Sequence, residues 1–130
     1  MSKKVLVVDD DPDVRTFNVA VLEENGYQPL VATNGEEGME LVKKERPALL
    51  ILDVLMPRES GIRLYREIKT DKSLKHTPII IMSGIAEKSF LRSQKALTEF
   101  GGAVVPEPEG YLEKPVDADV LTAKIKEIIG

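Results

Sequence analysis

The chain contains no cysteine. Disulfides, thiolate zinc sites and cysteine nucleophiles are therefore excluded. It also lacks any long hydrophobic run. Its apolar stretches break off far short of the roughly 20 residues needed to span a bilayer. The opening Met-Ser-Lys-Lys carries a basic pair, but the apolar run behind it stops at Asp9, so it does not read as a signal peptide. An excess of basic residues is missing too. Lys and Arg number 18 against 22 Asp and Glu, a net charge of −4. Phosphate-backbone binding leaves a basic footprint, so nucleic acid is not expected as a direct partner. No low-complexity tract and no repeat beyond an alternation of strand and helix patterns interrupts the chain. The default expectation is a cytoplasmic protein without a membrane segment.

What is present fits one domain over residues 1–130. That length supports a core without covalent staples. Apolar residues make up 42% and charged residues 31%, as in ordinary globular proteins.

Three apolar runs organise the sequence. Val5–Val8 leads into Asp9-Asp10-Asp11, Leu49–Leu52 into Asp53, and Ile79–Met82 into Ser83. None alternates with polar residues, which suits strands buried on both faces, as in a parallel sheet. Between them lie helical patterns. Val14, Phe17, Val21 and Leu22 recur at helical spacing, with Asp11 as cap, Pro12 in the first position and Asn25-Gly26 as stop. Pro29–Ala32 reads as a second strand. Thr33 and Glu36 have capping-box spacing and open a helix toward Glu45, ended by Pro47. Ser60 is expected to cap a third helix through Ile62, Tyr65 and Ile68. The stretch from Asp71 to Thr77 is a polar connection, and His76, within it, reads as a surface residue. A fourth helix is expected over Glu87 to Phe100, and a last one from about Asp117 to Ile129. Five strand–helix units argue for an α/β fold with helices on both faces of a parallel sheet. Ligands of such sheets bind at the carboxyl ends of the strands. Asp9, Asp10, Asp53 and Ser83 all fall there, and Lys114 follows Tyr111-Leu112 near the end of the chain.

Converging carboxylates repel one another, and a bound cation relieves the repulsion. All-oxygen ligands without His or Cys suit a hard ion such as Mg²⁺. A carboxylate can also act as nucleophile and become an aspartyl phosphate. The transferred group then requires positive charge and donors, which Lys114 and Ser83 supply. Taken singly, each residue has a plainer reading as turn, cap or solvated charge. Asp11 keeps that reading and receives no site role.

The chain resembles the response-regulator receiver domains of two-component signalling. Val-Leu-Val-Val-Asp9-Asp10-Asp11-Pro12 is similar to the first-strand acidic motif. Leu-Asp53-Val-Leu-Met-Pro57-Arg-Glu-Ser-Gly61 is similar to the phosphoacceptor segment. Ser83-Gly84 stands at the hydroxyl position, and Lys114-Pro115 matches the lysine–proline signature. The resemblance implies a flavodoxin-like (βα)5 fold with sheet order 2-1-3-4-5. It implies that Asp53 accepts a phosphoryl group from a sensor histidine kinase or phosphotransfer protein. Asp9, Asp10, Asp53 and the backbone carbonyl of Leu55 would hold Mg²⁺. Lys114 would pair with Asp53 and then with the phosphate. Ser83 and Tyr111 would move as switch residues, remodelling a surface for a downstream protein target. The Lys114–Pro115 bond is expected to be cis. The chemistry would be self-catalysed phosphoryl transfer and autodephosphorylation rather than turnover of a separate substrate.

Two departures stand out. Ser83 to Lys114 spans 31 positions (114 − 83), longer than the family norm. The excess lies in Phe100–Gly110, whose two prolines, three glycines and two glutamates predict an extended, mobile loop and an altered partner surface. Ala103–Val105 is the alternative, a short extra strand. Leu55 and Ile85 are apolar where they would flank the phosphoryl group, which predicts slow hydrolysis. Ser60 replaces an acidic residue common before Gly61. Two rival readings are an Mg²⁺-dependent phosphatase with an Asp nucleophile and a degenerate receiver that only binds. Leu55 disfavours the first, since it stands where such an enzyme has its acid. The intact Asp9, Asp10, Asp53, Ser83 and Lys114 set disfavours the second. The last helix runs almost to Gly130, so either a stand-alone receiver or a piece of a longer regulator is expected.

Overall fold

The computed structural model describes residues 2–99, 102 and 104–130. Strands and helices alternate: β1 (Lys4–Val8), α1 (Pro12–Glu24), β2 (Gln28–Ala32), α2 (Gly35–Glu45), β3 (Leu49–Leu52), α3 (Ser60–Thr70), β4 (Ile79–Ser83), α4 (Glu87–Glu99), β5 (Gly110–Glu113) and α5 (Ala118–Ile129). The five strands form one parallel sheet of order β2-β1-β3-β4-β5. This is the α/β arrangement that the apolar runs and the resemblance imply.

The pleat sorts each run into two cores, because successive side chains point to opposite faces. Leu6, Val8, Leu50, Leu52, Ile79 and Ile81 face α2, α3 and α4, where they meet Val42, Leu64, Ile68 and Phe90. Val5, Val7, Leu49, Ile51, Ile80 and Met82 face α1 and α5, where they meet Val21, Leu22, Leu121 and Ile125. Burial on both faces explains why the runs lack polar alternation. Each fully buried aliphatic side chain contributes about 2 kcal/mol of transfer free energy.

Helix boundaries follow local chemistry, with two corrections. Asp11 caps α1 by accepting from the Asp13 amide at 2.9 Å, and Gly26 takes φ +79° just past the helix end. The cap of α2 is Asn34, not Thr33. The Asn34 carboxamide oxygen accepts from the Glu37 amide at 2.9 Å. Glu37, rather than Glu36, reaches back, and its Oε1 accepts from both the amide and the hydroxyl of Thr33 at 2.7 Å. The second correction concerns Ser60. A 3-10 turn over Pro57–Glu59 precedes it, so Ser60 is the first residue of α3. Its hydroxyl is buried and has no partner, so it does not cap the helix.

The segment before β5 forms neither helix nor strand over 104–109. Phe100, Gly101 and Ala103, expected at the helix end, in the loop and in a candidate strand respectively, lie outside the described residues. Val104 and Val105 belong to no strand. The expectation of a mobile loop does not suit 105–109, which is tied down. Val105 packs against the core. Tyr65 donates its hydroxyl to the Pro106 carbonyl. Glu109 accepts from the ammonium of Lys69 at 2.6 and 2.8 Å and from the Ile79 amide at 2.7 Å. His76 is exposed, as expected. No helix among the described residues is long and apolar enough to cross a membrane.

Candidate functional site

Strand register assembles the site. Val8 pairs with Leu52 and Leu52 with Ile81, so the next residues, Asp9 and Asp53, emerge side by side at one sheet edge. The Asp53 amide donates to the Val8 carbonyl at 3.0 Å, and the Asp9 amide to the Ala32 carbonyl at 3.2 Å, fixing both at their strand ends. Ser83 pairs with Glu113, and the Lys114 amide donates to the Ser83 carbonyl at 2.8 Å. Lys114 is thereby carried to the same edge, and its peptide bond to Pro115 is cis. Gly61 closes the floor from α3. A Cβ at that position would stand 2.2 Å from the Asp53 carbonyl oxygen, so only glycine lets the helix start lie against the strand end.

The side chains then meet. Lys114 Nζ donates to Asp9 Oδ2 at 2.9 Å and to Asp53 Oδ2 at 3.0 Å. The other oxygens are held by backbone amides. Asp9 Oδ1 accepts from Asp11 at 2.9 Å, and Asp53 Oδ1 accepts from Leu55 at 2.8 Å. Asp9 and Asp53 are only 2% and 5% exposed, whereas Asp10 is exposed. The three carboxylates each offer an oxygen within 4.8 Å of the others. Three carboxylates against the Lys114 ammonium and one nearby guanidinium leave a surplus of one negative charge (3 − 2). Arg15 stands beside them, its guanidinium bonded to the Asp9 carbonyl at 2.8 Å.

Burial pushes the Asp9 carboxyl above its usual range, and this outweighs the Asp11 amide and Lys114, which act the other way. For Lys114 burial acts against the charge, but its bonds to Asp9 and Asp53 hold its pKa above the ordinary lysine value. One ammonium is shared by two carboxylates, so the lysine gains more from the arrangement than Asp9 does. An all-oxygen donor set with surplus negative charge fits a hard divalent cation.

The remaining expected residues occupy a second tier. Ser83 is fully buried, and its Oγ accepts from the Ile85 amide at a long 3.4 Å. Tyr111 is half-buried and donates its hydroxyl to the Ile85 carbonyl at 2.6 Å. Leu55 reaches the site with its amide, while its side chain is 54% exposed.

Two residues around the site and one buried lysine away from it escaped the sequence reading. Arg15 lies one turn into α1 and carries no motif. Glu113 accepts from the Glu87 amide at 3.0 Å and so caps the start of α4 from the end of β5. Its place directly before Lys114 was the available signal. Lys69, buried at 3% exposure, is paired with Glu109 across 40 positions, and local spacing cannot show that.

Comparison with known proteins shows the family to which the chain belongs. The family model described as response regulator receiver domain matches residues 5–126. The chain is 31% identical to the sporulation initiation phosphotransferase F of Bacillus subtilis (strain 168), over 99% of this chain and 95% of that protein. It is 31% identical to the alkaline phosphatase synthesis transcriptional regulatory protein PhoP of the same organism, covering 99% of this chain. It spans about half of PhoP's length (49%). The high-resolution structure of the chemotaxis response regulator CheY4 of Vibrio cholerae superposes with a TM-score of 0.80 at 26% identity. That match covers 98% of this chain and 99% of that one.

Proposed function

The chain belongs to the response regulator receiver family of two-component signalling, and we propose on that premise that Asp53 is its phosphoacceptor. A carboxylate oxygen of Asp53 attacks phosphorus in the phosphohistidine of a sensor histidine kinase or a phosphotransfer protein. The P–N bond breaks, the imidazole leaves with the electron pair and takes up a proton, and an acyl phosphate forms. The observation that carries this reading is the Lys114 ammonium bonded to Asp53 Oδ2 at 3.0 Å. It stands where a phosphoryl group on that oxygen would bring negative charge.

Asp9, Asp10, Asp53 and the Leu55 carbonyl would hold Mg²⁺. The bound ion supplies positive charge that offsets the approach of a phosphoryl group to an acidic crevice. The chain's own residues do the rest. The Leu55 amide orients Asp53. Lys114 moves from bridging two carboxylates to neutralising the phosphate. Ser83 turns its hydroxyl toward a phosphoryl oxygen and gives up its weak bond from Ile85. Tyr111 then loses its present acceptor position and rotates, remodelling the face read by a downstream protein target. The domain acts by switching in the cytoplasm, and its only chemistry is its own phosphorylation and dephosphorylation. The phosphatase alternative lacks support: Leu55, an exposed aliphatic side chain, stands where an acid would be needed.

Intact mass after incubation with acetyl phosphate tests the proposal. One phosphoryl adduct is expected, dependent on Mg²⁺ and absent in Asp53→Asn. An adduct that persists in Asp53→Asn, or none in the wild type with Mg²⁺, overturns it.

A further inference from the structure

Asp9 and Asp10 supply two of the three carboxylates of the crevice, yet the two are held differently. Both oxygens of Asp9 are bonded, one to Lys114 and one to the Asp11 amide. Asp10 is exposed, and among the described residues no hydrogen bond holds its carboxylate. The backbone that carries it therefore sets its direction. That backbone sits where the sheet runs out. The Asp9 amide still bonds the Ala32 carbonyl at 3.2 Å. The Asp9 carbonyl, however, lies beyond the last paired residues of β1 and β2, Val8 and Ala32. It takes its donor from α1, where the Arg15 guanidinium reaches it at 2.8 Å.

Arg15 is half-buried and shares the groove between α1 and β2 with Val19 and Val31. Its charge is also felt at the start of α2. The Glu37 carboxyl lies below its ordinary range, chiefly because it accepts from the amide and hydroxyl of Thr33, and Arg15 adds to the effect. Arg15 thus stands between the end of β1 and the turn that opens α2. A guanidinium keeps its proton at any working pH and donates from a rigid plane, so the bond to Asp9 is a permanent brace.

We propose that Arg15 is a positioning residue of the phosphotransfer site: by bonding the Asp9 carbonyl it orients the Asp9–Asp10 peptide so that both carboxylates serve one divalent cation. It acts through the backbone and not as a ligand. The inference rests on the reading of Asp9, Asp10 and Asp53 as the Mg²⁺ site, and it adds a residue that neither the acidic motif nor the strand pattern marks. Two effects of Arg15 on that cation oppose each other. Its charge repels the ion, but solvent and salt screen a half-buried side chain. Its bond aims a ligand, and partners of this kind typically carry about 10–100-fold in metal affinity. Positioning therefore outweighs repulsion.

That difference in sign is the test. Mg²⁺ is titrated into the unphosphorylated, nitrogen-15-labelled protein and followed by the amide shifts of Asp10, Asp11 and Leu55. Arg15→Met keeps an unbranched helical stem and removes both donor and charge. It should weaken Mg²⁺ binding about tenfold, the low end of the range because a like charge is lost with the bond. Arg15→Lys restores a charge and a donor and should recover most of the affinity. A purely electrostatic role reverses the sign, so that Arg15→Met binds Mg²⁺ more tightly than the wild type. A purely structural role lowers Tm and leaves the Mg²⁺ affinity unchanged. Either of these two results overturns the proposal. A wild type that binds no Mg²⁺ overturns it together with the metal reading. A wild type that binds Mg²⁺ beside an equally avid Arg15→Met overturns this inference alone and leaves the assignment of Asp53 standing.

Discussion

The hydroxyl of Tyr111 lies 2.6 Å from the carbonyl oxygen of Ile85. The amide of the same Ile85 reaches Ser83 Oγ at 3.4 Å. The two proposed switch residues therefore hold one residue of the β4–α4 connection from both ends. The tyrosine bond is the stronger by distance, and the serine bond is the one a phosphoryl oxygen would compete for. Tyr111→Phe removes the first bond and leaves the ring contact with Phe90. It should cost about 1 kcal/mol, a fall in Tm of roughly 4 °C for a domain this size. The yield of phosphoryl adduct should not change. Calorimetry and intact mass check the two halves, and an unaltered Tm would remove Tyr111 as an anchor of the loop.

The same phenol provides a pH test. Burial raises its pKa, helped by Glu113, Glu87 and Asp53, from 10.0 to about 12. A folded-state pKa above the unfolded value means that the folded state holds the proton longer. The stability it contributes is complete below pH 10 and declines as pH rises toward about 12. Carbon-13 labelling at tyrosine Cζ follows the ionisation directly, with Tyr111→Phe assigning the resonance. A midpoint near the free phenol value would contradict the burial seen here.

Lys114 is the single ammonium bonded to both Asp9 and Asp53. Lys114→Met leaves two buried carboxylates without it. The cost at neutral pH should be about 2–3 kcal/mol, below the full penalty for stripping a buried pair because the Lys114 side chain remains 22% exposed. Mg²⁺ can then take over part of the lost neutralisation. The rise in Tm on adding Mg²⁺ should be larger in Lys114→Met than in the wild type. Equal rises would mean that the cation and the lysine do not share these carboxylates.

Sequence legibility followed burial and locality. Every residue of β3 and β4 is buried, so each strand appears as an unbroken apolar run. Asp9, Asp53 and Ser83 were readable because each sits at the end of such a run. The cap of α2 was misplaced by one residue because Thr33/Glu36 and Asn34/Glu37 share one spacing, and only the backbone chooses between them. Ser60 was misread because the 3-10 turn at Pro57–Glu59 moves it inside a helical stretch. Arg15 and Lys69 were invisible for another reason. Their partners, the Asp9 carbonyl and Glu109, are set by tertiary packing rather than by helical or strand periodicity.

Lys69 and Glu109 form the clearest stability test outside the site. The Lys69 side chain is 1% exposed, and Glu109 is its charged partner. Glu109→Gln keeps an acceptor for the Ile79 amide but strands a buried ammonium. A loss of about 3 kcal/mol is expected, roughly 10 °C in Tm. The double variant Lys69→Met, Glu109→Gln removes the stranded charge and should recover most of that loss. A double-mutant cycle by urea denaturation measures the coupling. Additive losses would show that the pair is not coupled and that Glu109 matters only as a cap for β4.

The lifetime of the proposed aspartyl phosphate is expected to depend on two aliphatic side chains. Leu55 is 54% exposed two positions beyond Asp53, and Ile85 lies two positions beyond Ser83. Hydrolysis of an aspartyl phosphate requires a water oriented for attack on phosphorus, and neither side chain can hydrogen-bond one. Leu55→Asn and Ile85→Glu each introduce a group able to do so. Neither supplies a positioned base of matched pKa, so the acceleration should stay below the ~100-fold or more such bases contribute, at about tenfold. Decay of the acetyl-phosphate-generated adduct, followed by intact mass after removal of the donor, reads the rate. Leu55→Asn leaves the backbone amide that orients Asp53 in place, so its phosphorylation should proceed normally and only the decay should change. If both variants decay at the wild-type rate, access to the phosphoryl group rather than water orientation sets its lifetime.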